Sequence, residues 1–461
     1  MKRLMRRRAG FAWIMACILM FTIFTTACSN NSGGKGTTST PAPTTVATTD
    51  TKESEPPVEE EKHDPVTLKL VTWHVGNNQE LFDMFHKKYP WITIEPVIPD
   101  VAQEVKVAAM QAAGDPADLT WINDLSAFTK DDMLEDLTPY IAKDPTIQSA
   151  NIVDGILEAY KTKDKTYALP FTSIFEFIVV NKDLLKKHGM EMPGNDWTYD
   201  DFLEMARKAT DPAASEYGLS FDSMMVSQFK WILPVANGNA ANLMFLNEDF
   251  TQSVAHTPGV LADLKWLQEL TTKWHVRPSG EEGIKLGWET ANNFLTGKVL
   301  FTLGADWVLP GYQKDATFEW DILPLPKGKV KQATVSMLGA IGIPSASKHK
   351  EEAFKWISFL YEVEAQKWMA RNGSNTFIID PELDKAIDEA PVWQGKNVEA
   401  VKMSRTMCCL LLGTPELDFY QVNVDNVLTG LLENGGDINS IVPSVEAFNK
   451  KTLETRKLLG W

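Results

Sequence analysis

The sequence predicts an α/β fold, on two observations. Strand-like and helix-like segments alternate along the body of the chain, and the stretch from about Pro65 to Trp461 is long enough for two lobes. Such alternation favours a mostly parallel sheet.

Ahead of that body, Lys2, Arg3, Arg6, Arg7 and Arg8 precede an apolar stretch from Phe11 to Phe21 that is too short to span a bilayer comfortably. Residues 1–27 therefore read as a secretion signal, with an uncleaved anchor helix as the competing reading; either leaves the body facing outward. Thr25-Thr26-Ala27-Cys28-Ser29 resembles the lipobox of bacterial lipoproteins, in which the Cys is acylated and becomes the first mature residue. The small residues before Cys28 fit that pattern, and Thr25 stands where it usually has Leu. Residues 28–64 are then rich in Thr, Ser, Gly, Pro and Glu and almost free of large apolar side chains, so they predict a disordered linker to the lipid.

In the body, Val66–Trp73 alternates as a strand, and Leu81, Phe82 and Phe85 give Gln79–Lys88 a helical stripe. Pro90 ends that helix, Trp91–Ile98 alternates again, and Val101–Ala113 is a small-residue helix stopped by Gly114-Asp115-Pro116. The β-branched and aromatic run Ile174–Val180 predicts a further strand, followed by a short helix from Asn181 capped by Gly189. Thr198 is a plausible N-cap, with Asp200 and Asp201 in the first turn where the helix dipole favours acids. Leu261–Trp274, Glu351–Arg371 and Phe448–Leu459 are amphipathic; in the second, Phe354, Ile357, Leu360, Tyr361, Ala365 and Trp368 share one stripe.

Composition narrows the function. Removing the five basic residues among 1–27 takes the net charge from −16 to −21, which argues against nucleic acid and anionic membrane surfaces as partners. Beyond Cys17 and Cys28 the cysteines are Cys408 and Cys409, adjacent within Met407–Leu412, where an apolar setting predicts buried thiols rather than redox chemistry. The chain carries no His-Glu-x-x-His, Gly-x-Ser-x-Gly, phosphate-binding loop or EF-hand signature, so neither a metal nor another cofactor is expected.

Several blocks, in order, resemble the extracellular solute-binding proteins of ABC importers, in the group similar to maltose-binding protein. They include Leu81–Pro90 with Ile92–Glu95, Ala112–Asp118, Leu137–Tyr140 and Tyr167–Pro170. Asn181–Leu185, Trp197–Phe202, Phe294–Lys298, Gly304–Trp307, Leu323–Pro326 and Ile343–Lys348 complete the series. The resemblance implies a two-lobed, type II periplasmic-binding-protein-like fold with a ligand cleft between the lobes. By position, the first lobe comprises 65–172 and 325–375 and the second 176–322 and 376–461. Hinge strands are then expected near Phe171–Phe175 and Ile322–Leu325. It further implies a monomer that binds a solute, most plainly a carbohydrate, and hands it to permease subunits without chemistry.

A sugar offers C–H faces to aromatic rings and hydroxyl edges to amides and carboxylates, which directs attention to particular residues. Trp121 and Trp307 match positions where the family often places an aromatic. Trp73 and Trp231 are further candidates, although strand and helix ends also bury Trp routinely. Asn77, Asn78, Asn123, Asp124, Asn237, Asn239 and Asp306 are the polar neighbours, with turn or capping roles open for Asp124 and Asp306. Trp266, Trp356 and Trp368 lie on amphipathic stripes and are expected in the core. Two other classes stay open: an exported hydrolase using a carboxylate pair such as Glu176 with Asp306, and a surface adhesin.

Overall fold

The alternating run Val66–Val71 forms strand β1, with Leu68, Leu70 and Val71 buried. The computed structural model describes residues 63–459, apart from 74–77, 124, 130, 154–155, 163, 222, 250, 289–291, 408–423 and 425. Cys28, most of the expected linker, Asn77, Asp124, Cys408 and Cys409 thus lie outside the described residues. Among those described, no helix is long and apolar enough to cross a membrane.

Helix α1 (Gln79–Lys88) buries Leu81, Phe82 and Phe85, as its stripe predicts, and is followed by β2 (Ile92–Val97), α2 (Gln103–Ala112) and β3 (Leu119–Ile122). The apolar run near 174–180 is two strands: β4 (Leu169–Phe175) and β5 (Phe177–Asn181) are separated by Glu176 alone and belong to different sheets. Next come α3 (Lys182–Lys187), α4 (Tyr199–Ala209), β6 (Tyr217–Leu219), α5 (Ser223–Ala236) and α6 (Pro258–Thr272). Then follow β7 (Val299–Gly304), β8 (Trp320–Leu323), β9 (Ser336–Gly342), α7 (Lys350–Phe359), α8 (Val363–Arg371) and α9 (Pro381–Glu389).

Helix starts follow local chemistry. The Thr198 hydroxyl accepts from the Asp201 N–H while the Asp201 carboxylate accepts from the Thr198 N–H, a reciprocal capping box on α4. Asn181 caps α3 by accepting from the Leu184 N–H, a role its position at the end of a strand did not disclose. The single stripe expected over 351–371 is broken into α7 and α8, because Glu362 takes up an extended backbone and starts the second helix.

The first sheet has the order β2-β1-β3-β9-β4 and the second β8-β5-β7-β6. Both are mixed, which corrects the expectation of a mostly parallel arrangement. β1 runs parallel to β2 and β3, but β9 is antiparallel to β3 and β4, and β5 is antiparallel to both of its neighbours. The cause is that β5 and β9 are entered from the other sheet rather than through a crossover helix.

Each sheet has its own core. Leu68, Leu119, Leu169 and Ile341 pack with Phe85, Trp356 and Trp368 under the first, while Ile178, Phe301 and Leu303 pack with Phe202, Phe229 and Leu264 under the second. A further cluster joins Phe177, Val179 and Trp320 to Ala370 of α8 and Ala386 of α9. Phe377, Ile378 and Leu383 pack in the first core, so packing continues past the boundary expected after 375.

The chain passes between the sheets at Glu176 and again in the segment 324–335. These two passages lie side by side: the Glu176 N–H donates to the Val335 carbonyl at 3.3 Å, and the Thr334 hydroxyl donates to the Glu176 carbonyl at 2.7 Å. A third segment joins them where the Ser173 N–H donates to the Asn375 carbonyl at 3.0 Å.

Candidate functional site

In open α/β sheets, side chains just beyond the carboxyl ends of strands are the ones free to meet a ligand. Trp73 follows the end of β1 by two residues, and Trp121 sits in β3, whose Thr120 pairs with Val71. Both therefore lie at the same edge of the first sheet. Trp307 lies three residues past the end of β7 in the second sheet.

The crossing brings these edges into relation. Gly304, the last residue of β7, pairs with Phe177, the residue after Glu176. On the other side Gly339 pairs with Thr172, and a Cβ on Gly339 would lie 2.8 Å from the Trp121 ring and 2.6 Å from the Thr172 methyl. Only glycine at 339 lets the indole lie there. Trp121 and Trp307 thus flank the crossing, one from each sheet. Phe171 meets Trp121 edge-on, with ring centroids 5.2 Å apart. Neither Gly339 nor Phe171 stood out as a site residue, although a glycine inside an apolar strand pattern is a signal of close approach.

Exposure separates the candidates. Trp73 and Trp307 are 45% and 46% exposed, whereas Trp121 retains 9%. Asp306 begins the short turn that carries Trp307; burial pushes its carboxyl up to about 7, against the opposing effect of the Trp307 and Asp306 N–H groups. A carboxyl titrating there can give or accept a hydrogen bond from a neutral hydroxyl near pH 7. Asn123 is exposed beyond β3, its amide donating to Gln103 Oε1 at the start of α2 at 3.1 Å. Asn78 is the residue before α1.

Other candidates have partners within the fold. Trp231 is 8% exposed on α5, within the second core, and the Lys230 ammonium lies 4.8 Å from its ring centre. Asn237 and Asn239 donate to opposite oxygens of the buried Asp263 carboxyl, at 2.8 and 2.7 Å, and Asn237 Oδ1 accepts from the Lys329 N–H. Burial still holds Asp263 above the usual carboxylate range. These hydrogen bonds tie the end of α5 to α6. Glu176, offered as half of a catalytic pair with Asp306, is wholly buried.

Two hollows elsewhere, of about 460 and 420 Å³, are lined by residues such as Tyr361, Val363 and Ile379, and by Val235, Asn239 and Val330. Neither touches the three tryptophans at the sheet ends. The strand-end geometry is the better guide, because a cleft between lobes changes its volume as they move.

Comparison with known proteins gives the family and the fold. Residues 76–367 match the family described as bacterial extracellular solute-binding protein. The chain is 22% identical over 414 residues to an uncharacterised ABC transporter extracellular-binding protein of Pyrococcus horikoshii, covering 84% of this chain and 88% of that one. It is 26% identical over 243 residues to a multiple sugar-binding protein of Streptococcus mutans, covering 49% of this chain and 54% of that one. In structure it is similar to an ABC substrate-binding protein of Listeria monocytogenes in complex with cycloalternan. The TM-score is 0.71 at 23% identity, covering 87% of this chain and all of that one. The likeness shows the two-lobed α/β fold.

Proposed function

Because the chain belongs to the bacterial extracellular solute-binding proteins, we propose that it captures a carbohydrate between its lobes and delivers it to the membrane subunits of an ABC importer. The observation that carries this is the pair of tryptophans flanking the crossing, Trp307 half-exposed from the second sheet and Trp121 nearly buried at the first. The multiple sugar-binding relative and the cycloalternan-bound neighbour support a sugar as the solute. Few Arg or Lys stand near these rings in sequence, which favours a neutral oligosaccharide over an anionic one.

The proposed division places 65–172 and 325–375 in one lobe and 176–322 and 376–461 in the other, with Phe377, Ile378 and Leu383 packing against the first. A ligand that touches both lobes only when they are closed shifts the population toward that form, by its differential affinity for it. The permease reads the closed form. The protein works as a monomer and performs no reaction on the ligand. Acylated Cys28 and the segment 28–64 hold it at the outer face of a Gram-positive cell membrane, and mass spectrometry of the mature N-terminus tests that anchor.

A thermal-shift screen against neutral mono- and oligosaccharides tests the ligand class, since a ligand that binds only the folded form raises the melting temperature by mass action. New reducing ends on incubation with oligosaccharides would overturn the binding-only reading.

A further inference from the structure

Buried polar side chains nearly always find partners, so a place where several do not is informative. Among the described residues, six such atoms without a hydrogen-bonding partner fall on the segments that meet at the crossing. They are the Ser173 hydroxyl, both Glu176 carboxyl oxygens, the Ser336 hydroxyl, and Nδ2 and Oδ1 of Asn375. Ser173 and Glu176 are 0% exposed, Asn375 2% and Ser336 3%.

Backbone pairing sets these residues close together. Ser336 pairs with Phe175, the Glu176 N–H donates to the Val335 carbonyl, and Ser173 is bridged to Asn375. Burial pushes the Glu176 carboxyl well above the usual carboxylate range, with no charged group among the described residues contributing. On the segments bonded to the crossing stand Thr334, Val335, Ser336 and Asn375, none of which titrates, and the Tyr160 hydroxyl that donates to the Leu338 carbonyl is held by burial well above its usual range.

Leaving such groups without a protein partner disfavours the arrangement that buries them. In the body of either lobe that cost would bear on folding as a whole. At the passage between the sheets it bears on their relative rotation, because Glu176 alone separates β4 of one sheet from β5 of the other. We propose that Glu176, with Ser173, Ser336 and Asn375, sets the balance of lobe closure, disfavouring the arrangement described here against a rotated, wetted one. Glu176 is on this view a positioning residue: it is wholly buried and acts through the relative rotation of the two sheets. The inference rests on the reading that ligand is held between the lobes.

Hydrogen exchange on the ligand-free protein tests it without any ligand. In Glu176→Met, amides of 172–177 and 334–338 are expected to exchange about tenfold more slowly than in the wild type, while β1 and β7 change far less. A change spread evenly over both sheets would mark a purely structural role and overturn the proposal, as would unchanged or faster exchange at the crossing. Should Glu176→Met fail to fold, the isosteric Glu176→Gln keeps the question open to decision. Ionisation demands water, so opening of the wild-type crossing, corrected for intrinsic exchange, should increase as pH rises from about 5 to about 8. Glu176→Gln should lose that dependence; retaining it would overturn the role of Glu176. Sugar affinity of Trp307→Ala tests the reading of the cleft separately, so the two failures are distinguishable.

Discussion

An indole that leaves nearly half its surface in water at the end of a buried strand is poorly placed for stability and well placed for contact, which is the situation of Trp307. Trp307→Ala is expected to weaken sugar binding by about 2 kcal/mol with the fold intact, as measured by calorimetry. The neighbouring Asp306 adds a pH signature. Its folded-state pKa lies above the unfolded value, so its contribution to stability is full below about pH 4 and is lost as pH rises toward 7. Asp306→Asn should therefore gain thermal stability relative to the wild type across that interval, as followed by melting temperatures. Asn237→Ala has the opposite character: it strips a donor from buried Asp263 and should cost about 1–3 kcal/mol in denaturant unfolding while leaving sugar affinity unchanged. At this scale the sequence was a partial guide. Strand-end position was legible for Trp73, and Trp307 was reached through the family resemblance, but nothing local distinguishes an Asn aimed at a ligand from one aimed at Asp263, because Asp263 is remote in sequence.

Elements were legible where their signals are local. The stripe of α1 and the cap of α4 depend on residues within one or two turns, and both stand where the sequence placed them. Thr198→Ala, which breaks the capping box, should cost about 1 kcal/mol in thermal or chemical unfolding, while a Ser at that position restores most of it. Periodicity failed where continuity was decided at a distance. The apolar run around Glu176 gives no hint that Phe175 and Phe177 serve different sheets, and the stripe over 351–371 runs through the break at Glu362. Sheet polarity failed for the same reason. Alternating strands and helices imply crossovers, but β9 reaches the first sheet directly from the second, and that passage is invisible in a pattern of hydrophobicity.

For the molecule as a whole, two sheets with separate cores are joined by narrow passages and a shared helical cluster, an arrangement suited to rigid-body movement. Saturating ligand should reduce the radius of gyration in solution scattering, and an unchanged profile would rule out closure as the response to binding. The uneven exposure of the tryptophans has an optical consequence. Among the described residues, the exposed indoles of Trp73 and Trp307 should emit at longer wavelength and be open to collisional quenching by acrylamide, while the rest are shielded to varying degrees. A sugar seated against them would shift the emission to the blue and flatten the quenching curve, so the protein carries a label-free fluorescent reporter of its own occupancy.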